Sequence, residues 1–348
     1  MMGRYLLRRL GQTLLAVWLL SSVVFLIGRR HADQALRLAL PDSSEQLTHQ
    51  ASPAQARASR TVLRQRLGLD LPAFYVSRAA GGAWEWHGMR NQYHRWLQGL
   101  VHGNLGTSFR TGEPVTQRLG QALALTLPVT GLAAVLATLA ALLLAQRLAA
   151  GPRWAAAVRA ALVALHAVPL FVLALGLLLL FANPEVLDWL PVNDLDQLAQ
   201  GSPAARWAGS LPQLLLPVAA LLLAALPDLT LQLEASLTHE LTRPYVATAR
   251  AKGTSTKAVI RHHALRNALL PTLGQVAELL PALVAGAVAV EVVFALPGMG
   301  RLLAEAATTR DYPVLVGGVL LLGTARLLAL LLADLGYSWA DPRIRWQA

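Results

Sequence analysis

Three histidines, His87, His94 and His102, recur at seven- and eight-residue spacing, which one continuous helix would bring to a single face within reach of a metal ion. Gly88 interrupts that pattern and no carboxylate completes a ligand set, so they read as loop histidines at a membrane interface and no metal site is expected. The chain has no cysteine, which removes disulfides, thiolate catalysis and Cys-based metal sites. It has no GxSxG elbow, no HExxH pair and no paired acids in a polar region, so nothing supports an enzyme. Ionisable residues inside apolar runs are different: each is costly in hydrocarbon and is a functional candidate by default. Glu278 lies about two turns past Pro271, roughly 10 Å along a helix rising 1.5 Å per residue. Arg326 lies eight residues before Asp334, near the middle of its run. Glu278 and Arg326 either face a translocation pathway or pair across their helices, or else they snorkel or meet another subunit.

The basic stretch Leu241–Pro271 reads LTRPYVATARAKGTSTKAVIRHHALRNALLP. Tyr245–Lys252 predicts a short helix, since Ala, Arg and Lys are good helix formers. Gly253 ends it, and the Thr254-Ser255-Thr256 run caps a second helix beginning near Lys257. That helix should continue into the next apolar run, with Pro271 near the point where the chain enters the membrane. Two short helices joined at a glycine make a compact elbow, suited to a groove on a soluble partner that can push it.

A bilayer-spanning scaffold must hold such an elbow. The 348 residues are 55% hydrophobic and only 14% charged, whereas a soluble domain of this length needs a far more charged surface. Lys and Arg exceed Asp and Glu, 30 against 19, but they lie between and beside apolar runs, as in a membrane protein marking its cytoplasmic loops. Membrane lipid, and no nucleic acid, is therefore the expected partner. About six runs are long enough to cross a ~30 Å hydrocarbon core: Leu10–Gly28, Leu119–Gln146, Ala160–Pro184, Trp207–Pro227 (ended by Asp228), Pro271–Leu296 and Pro313–Gly336. The first follows Arg4, Arg8 and Arg9, is followed by Arg29-Arg30 and lacks a small-x-small cleavage site, so it is a retained span and not a signal peptide. The nine Trp mostly flank spans, Trp18 excepted, as interfacial belts do.

The fold class is thus all-α, a polytopic membrane bundle of about six transmembrane helices with a periplasmic segment after the first. The loops carrying Arg147, Arg153 and Arg159, and Arg243 to Arg266, are basic, as are both termini, which places all four in the cytoplasm of a bacterial inner membrane. Residues 1–30 form the cytoplasmic N-terminus and first span, 31–118 a periplasmic segment, and 119–348 a core with five spans and the cytoplasmic loop 239–271. Within the long segment, Ser52-Pro53 starts a helix that Gly68 stops, Asn91–Val101 predicts a second, and Arg78–Met89 reads as a surface loop.

ARAKG (Ala249–Gly253) followed by HALRNALLP (His263–Pro271) resembles the cytoplasmic loop of ATP-binding-cassette importer permeases, in their dipeptide/oligopeptide/nickel subgroup. LLRRLGQTLL (Leu6–Leu15), LGLDLP (Leu67–Pro72), HGNLGTSF (His102–Phe109), EVVFALPGMGRLL (Glu291–Leu303), RDYPV (Arg310–Val314) and DPRIR (Asp341–Arg345) match in order, so the resemblance covers nearly the whole chain. It implies a permease with a second homologous permease subunit, two ATPase subunits and a periplasmic or extracellular substrate-binding protein. The coupling loop would comprise Tyr245, Ala249, Arg250, Ala251, Lys252, Gly253, Thr254 and Lys257, with His263, Arg266, Asn267 and Pro271 leading into the membrane. Glu291 would hold a periplasmic turn containing Pro297, Gly298 and Gly300. The chain has no GxxxxGK[ST] loop, so this chain binds no cofactor and ATP with Mg belongs to the partner ATPases.

The pattern departs from the family at several places. The family usually has Asp at the positions of Asn104 and Pro244, commonly two arginines where Leu231 and Glu234 stand, and a Trp where Val172 stands; the stretch around Ala73–Arg90 is extra sequence. The implied function is half of an ATP-driven pathway for peptides or similar small solutes. The rival readings are an ion-gradient-driven secondary transporter or channel, for which an elbow has no use, and a structural membrane scaffold.

Overall fold

The computed structural model describes residues 2–39, 71–78, 82–183, 185–187, 189–190 and 203–340. The helix expected after Ser52-Pro53, the DPRIR tail and the side chains of Pro271 and Glu278 lie outside the described residues. In chain order the elements are α1 (Met2–Ala39), β1 (Val76–Arg78), β2 (Trp84–Trp86), α2 (Gln92–Val101), α3 (Val115–Ala149), α4 (Ala155–His166), α5 (Leu170–Phe181), α6 (Pro203–Glu240), α7 (Pro244–Ala251), α8 (Thr256–Val259), a π-turn at Ile260–Ala264, α9 (Leu265–Val293), α10 (Met299–Thr308) and α11 (Tyr312–Ala340).

Among the described residues, five stretches are long and apolar enough to cross a bilayer: Arg8–Gly28, Val115–Ala149, Pro212–Glu240, Gly274–Val293 and Tyr312–Leu332; α4 and α5 make a sixth if the bent pair is one span. The distribution of side chains supports this reading. On α3 the row Val129, Ala133, Ala137, Ala141 and Ala145 is buried, while Leu132, Val135, Leu136, Leu139 and Leu143 are exposed. Water would penalise that apolar outer face, but lipid does not. The small inner row lets backbones approach closely, which is how membrane helices associate where no hydrophobic effect drives them together.

The contacts divide the chain into two units. In the first (residues 1–14, 121–304 and 322–348), the α3 row packs with Leu214, Leu221, Ala225 and Leu229 of α6 and with Leu283 and Val290 of α9. The third span is not the single rod expected over Ala160–Pro184: α4 and α5 are bent by 103°. Pro169 explains the break, because its ring disfavours helical backbone at Val168 and it has no N–H to donate. Span four also differs, since α6 runs through Pro227 and Asp228 to Glu240. Two polar contacts tie α4 to α6: an ion pair from Arg159 Nη2 to Glu234 Oε1 at 2.6 Å, and His166 Nδ1 against Asp228 Oδ1 at 2.9 Å.

In the second unit (residues 15–120 and 305–321), Asn91 caps α2 by accepting from the His94 amide at 2.7 Å. The expected loop at Arg78–Met89 is in part an antiparallel ribbon, Val76 opposite Trp86 and Arg78 opposite Trp84. Valine and tryptophan favour a pleated backbone, and that preference outweighs the glycines here. Just before α11, Asp311 is almost fully buried and accepts from Ser108 Oγ at 2.5 Å, from the Phe109 amide at 3.1 Å and from Arg118 Nη1 at 3.4 Å. Asn104 Oδ1 accepts from the Gly106 amide at 2.9 Å, a turn contact that needs only a side-chain oxygen, so asparagine serves where the family usually has aspartate.

Candidate functional site

The elbow starts where α6 ends at Glu240. Arg243 is the N-cap of α7 and Pro244 occupies its first turn, where the missing N–H costs nothing. This explains how proline stands at a position the family usually gives to aspartate. The helix Pro244–Ala251 begins and ends one residue before the expected Tyr245–Lys252, and Lys252 is its C-cap. Gly253 follows at φ +81°, with its amide donating to Arg250 O at 2.9 Å and the Thr254 amide to Ala249 O at 3.2 Å. Ser255 is the cap of α8, its Oγ accepting from the Ala258 amide at 3.4 Å. The expected single second helix is divided: one π-turn, Ile260–Ala264, intervenes between α8 and α9.

Glu240 fastens the elbow at its base. The Tyr245 hydroxyl donates to Glu240 Oε2 at 2.7 Å, and Asn267 Nδ2 donates to the same oxygen at 3.4 Å. The end of α6, the start of α7 and the start of α9 are thereby tied at one carboxylate. Burial first, then the hydrogen bond to Glu240, raise the Tyr245 phenol above its ordinary 10.0. Its protonated form is favoured in the folded elbow; that contribution is fully present below pH 10.0 and is lost only as pH rises through the higher folded value.

Beneath the elbow, Ile260, Ala264 and Ala268 are buried against Leu233 and Leu237 of α6 and Ala145 of α3. Val246 and Val259 are also buried. Arg250, Ala251, Lys252, Gly253, Lys257, His263, Arg266 and Asn267 are exposed, while Tyr245, Ala249 and Thr254 are half-buried. One apolar side grips the bundle and a cationic side is left outward. The elbow holds no nucleophile–base pair; what it offers is shape and positive charge.

The second constellation surrounds Glu291, which is 3% exposed. Its carboxylate accepts from Thr126 Oγ1 at 2.6 Å, from the Gly300 amide at 2.6 Å and from the Arg301 amide at 3.1 Å, and Thr126 Oγ1 accepts from the Met299 amide at 2.8 Å. An anion at the N-terminus of α10 meets unpaired amides and the positive end of the helix dipole. Pro297 is half-buried; Gly298 and Gly300 are buried, and neither position has room for a side chain, because a Cβ would strike the Glu291 carboxyl at the first and the Val288 backbone at the second. Thr126, indistinguishable in sequence from any hydroxyl in an apolar run, completes this site.

Glu278 lies within α9 and Pro271 is interior to the same helix; Arg326 lies on α11 with its side chain exposed. Glu234, noted in the sequence as a departure, is the acid that meets Arg159. The three histidines spend ring nitrogens locally: His87 Nε2 on Ser77 Oγ at 2.7 Å, His94 Nδ1 on Tyr75 OH at 3.1 Å, His102 Nδ1 on Gln98 O at 2.7 Å.

Comparison with known proteins gives the same class. Over 350 residues the chain is 31% identical to a Sinorhizobium fredii protein named a probable peptide ABC transporter permease, covering 99% of this chain and 100% of that one. It is 32% identical to the dipeptide transport system permease of Alkalihalophilus pseudofirmus, over 86% and 89% of the two chains, and 29% identical to the oligopeptide transport system permease of Bacillus subtilis, over 99% and 100%. Residues 119–346, from the start of the second span onward, match the family described as binding-protein-dependent transport system inner membrane component. A multi-pass helical bundle with an outward cationic elbow and a carboxylate-held turn, matched over that length, belongs to the binding-protein-dependent transport system inner membrane component family.

Proposed function

We propose that this chain is one permease subunit of an ATP-binding-cassette importer in a bacterial inner membrane, forming half of the pathway for peptides or similar small solutes. A second homologous permease completes the pathway, two ATPase subunits carrying ATP and Mg sit in the cytoplasm, and a periplasmic or extracellular binding protein delivers the solute. The observation that carries this reading is the Glu240–Tyr245–Asn267 tie, through which displacement of α7 reaches α6 and α9 together. Closure of the ATPase pair then pushes the elbow, and the two helices move as rods that open the cavity alternately to either side. The free energy comes from differential nucleotide binding to the two ATPase arrangements. Both termini lie in the cytoplasm on this reading. The names of the relatives support peptides as cargo.

The test is a single cysteine replacing Ala251 in the otherwise cysteine-free chain, cross-linked in the assembled complex. The expected product joins this chain to an ATPase subunit, with a yield that changes between nucleotide-free and ATP-bound states. No product with any ATPase subunit would overturn the coupling role.

A further inference from the structure

Trp84 and Trp86 are 74% and 72% exposed, and Met89 beside them 73%. Alternation places the two tryptophans on one face of the β2 strand and Glu85 on the other. Arg78, opposite Trp84 in the ribbon, is exposed, as are Arg90 just past the ribbon and Arg95 on α2, with Glu85 the single acid of the ribbon strands. Indole rings bordered by cations are the composition of a membrane–water boundary, where the ring seats at headgroup level and the guanidinium meets phosphate.

The depth of this patch can be measured along α1. The apolar stretch of that helix ends at Gly28. The Tyr93 hydroxyl of α2 hydrogen-bonds Ser21 Oγ at 2.9 Å and Ser22 Oγ at 3.0 Å. Those serines stand six and seven residues before Gly28, roughly 10 Å inside the end of the stretch at about 1.5 Å per residue. Phe25 packs on Tyr93 and Trp96, with ring centroids 5.2 Å apart in each pair. Tyr75 carries the contact onward, 5.7 Å from Tyr93 and stacked at 5.9 Å on Trp86. A chain of rings thus fixes the ribbon to a point on α1 that lies within the bilayer. Leu19, Val23, Leu26 and Ile27 of that helix are exposed, so the patch continues a surface that lipid already covers.

We infer that the β1–β2 ribbon and α2 form a lipid-binding foot on the bilayer surface at the Gly28 end of α1. Trp84, Trp86 and Met89 seat at the boundary between headgroups and acyl chains, and Arg78, Arg90 and Arg95 hold lipid phosphates. The inference rests on α1 crossing the membrane and is independent of the elbow.

Single cysteines replacing Trp84 and, separately, Glu85 in the full chain, labelled with an environment-sensitive fluorophore, test it in the assembled complex. The vesicles contain phosphatidylethanolamine and phosphatidylglycerol, with or without lipid carrying a nitroxide high on its acyl chain. At position 84 the label should emit at shorter wavelength, lose most of its emission to the nitroxide lipid and resist aqueous iodide. At position 85 iodide should win. Quenching of position 84 by iodide would place the ribbon in water and overturn the inference. Shielding of position 84 from both reagents would mean a protein covers it and would overturn the inference equally. Met89→Cys repeats the measurement at a side chain that joins no ring stack, which guards against a local folding defect at 84.

Discussion

At Gly253 the backbone adopts φ +81° while nothing stands within 4 Å of where a Cβ would project. The demand for glycine is therefore conformational and not a matter of space. Forcing a β-branched residue into the left-handed region costs about 1–3 kcal/mol, enough to tilt α7 against α8 while leaving the apolar runs that insert in the membrane unchanged. Gly253→Val should leave expression and insertion intact while substrate-stimulated ATPase activity of the assembled complex falls to its unstimulated level. Gly253→Asn should retain much of that activity, since asparagine tolerates this conformation. Equal loss in both variants would show that the site needs a bare surface and not a turn. The glycine and the residues after it were legible because a helix stop and a cap are written in residue types; the Glu240 tie was not. Glu240 is an acid at the edge of a basic loop, and its partners Tyr245 and Asn267 lie 5 and 27 positions away, a separation that local pattern does not report. Thr126 escaped for the same reason, 165 residues from Glu291.

Among the elements, long apolar helices were readable because one run of hydrophobic residues both forms and buries them: α1, α3 and α11 each contain the run expected for them, and α9 covers all but the last three residues of its run, stopping at Val293 before the turn that Glu291 holds. Their polar ends were harder: α6 continues to Glu240 because its last turns pack Leu233 and Leu237 against Ile260, Ala264 and Ala268, a tertiary support invisible in composition. The break between α4 and α5 was signalled by Pro169, but an uncharged run gives no sign that its two halves turn through 103°. The Arg159–Glu234 pair supplies part of that fixation, with Glu234 buried and Arg159 45% exposed. Breaking it by Glu234→Arg alone should lower the unfolding temperature, by less than the loss of a fully buried pair would because solvent screens the guanidinium. The reciprocal exchange, Arg159→Glu with Glu234→Arg, should recover most of the loss. Thermal unfolding of the purified complex in detergent reads both, and a double variant no better than the sum of the singles would show that the charges act independently.

For the molecule as a whole, the number of crossings decides which loops share a side. If the bent pair counts as one span, two crossings separate the loop at Arg153 from the elbow at Ser255, and both face the same compartment. Single cysteines at these two positions should then react with a membrane-impermeant maleimide from the same face of oriented vesicles; reaction from opposite faces would show that α4 and α5 dip in and return. The elbow in the bent pair has one more consequence. Ala167, Val168 and Pro169 are exposed at the break; the Ala167 and Val168 amides still donate to Val163 O and Leu165 O, but Pro169 has no amide with which to continue the ladder. Oil gives a peptide group nothing to bond with. With the bent pair at hydrocarbon depth, the carbonyls left at that corner call for a companion polypeptide or a column of water over them, and a solitary copy adrift in lipid would be an unfinished object at this one spot.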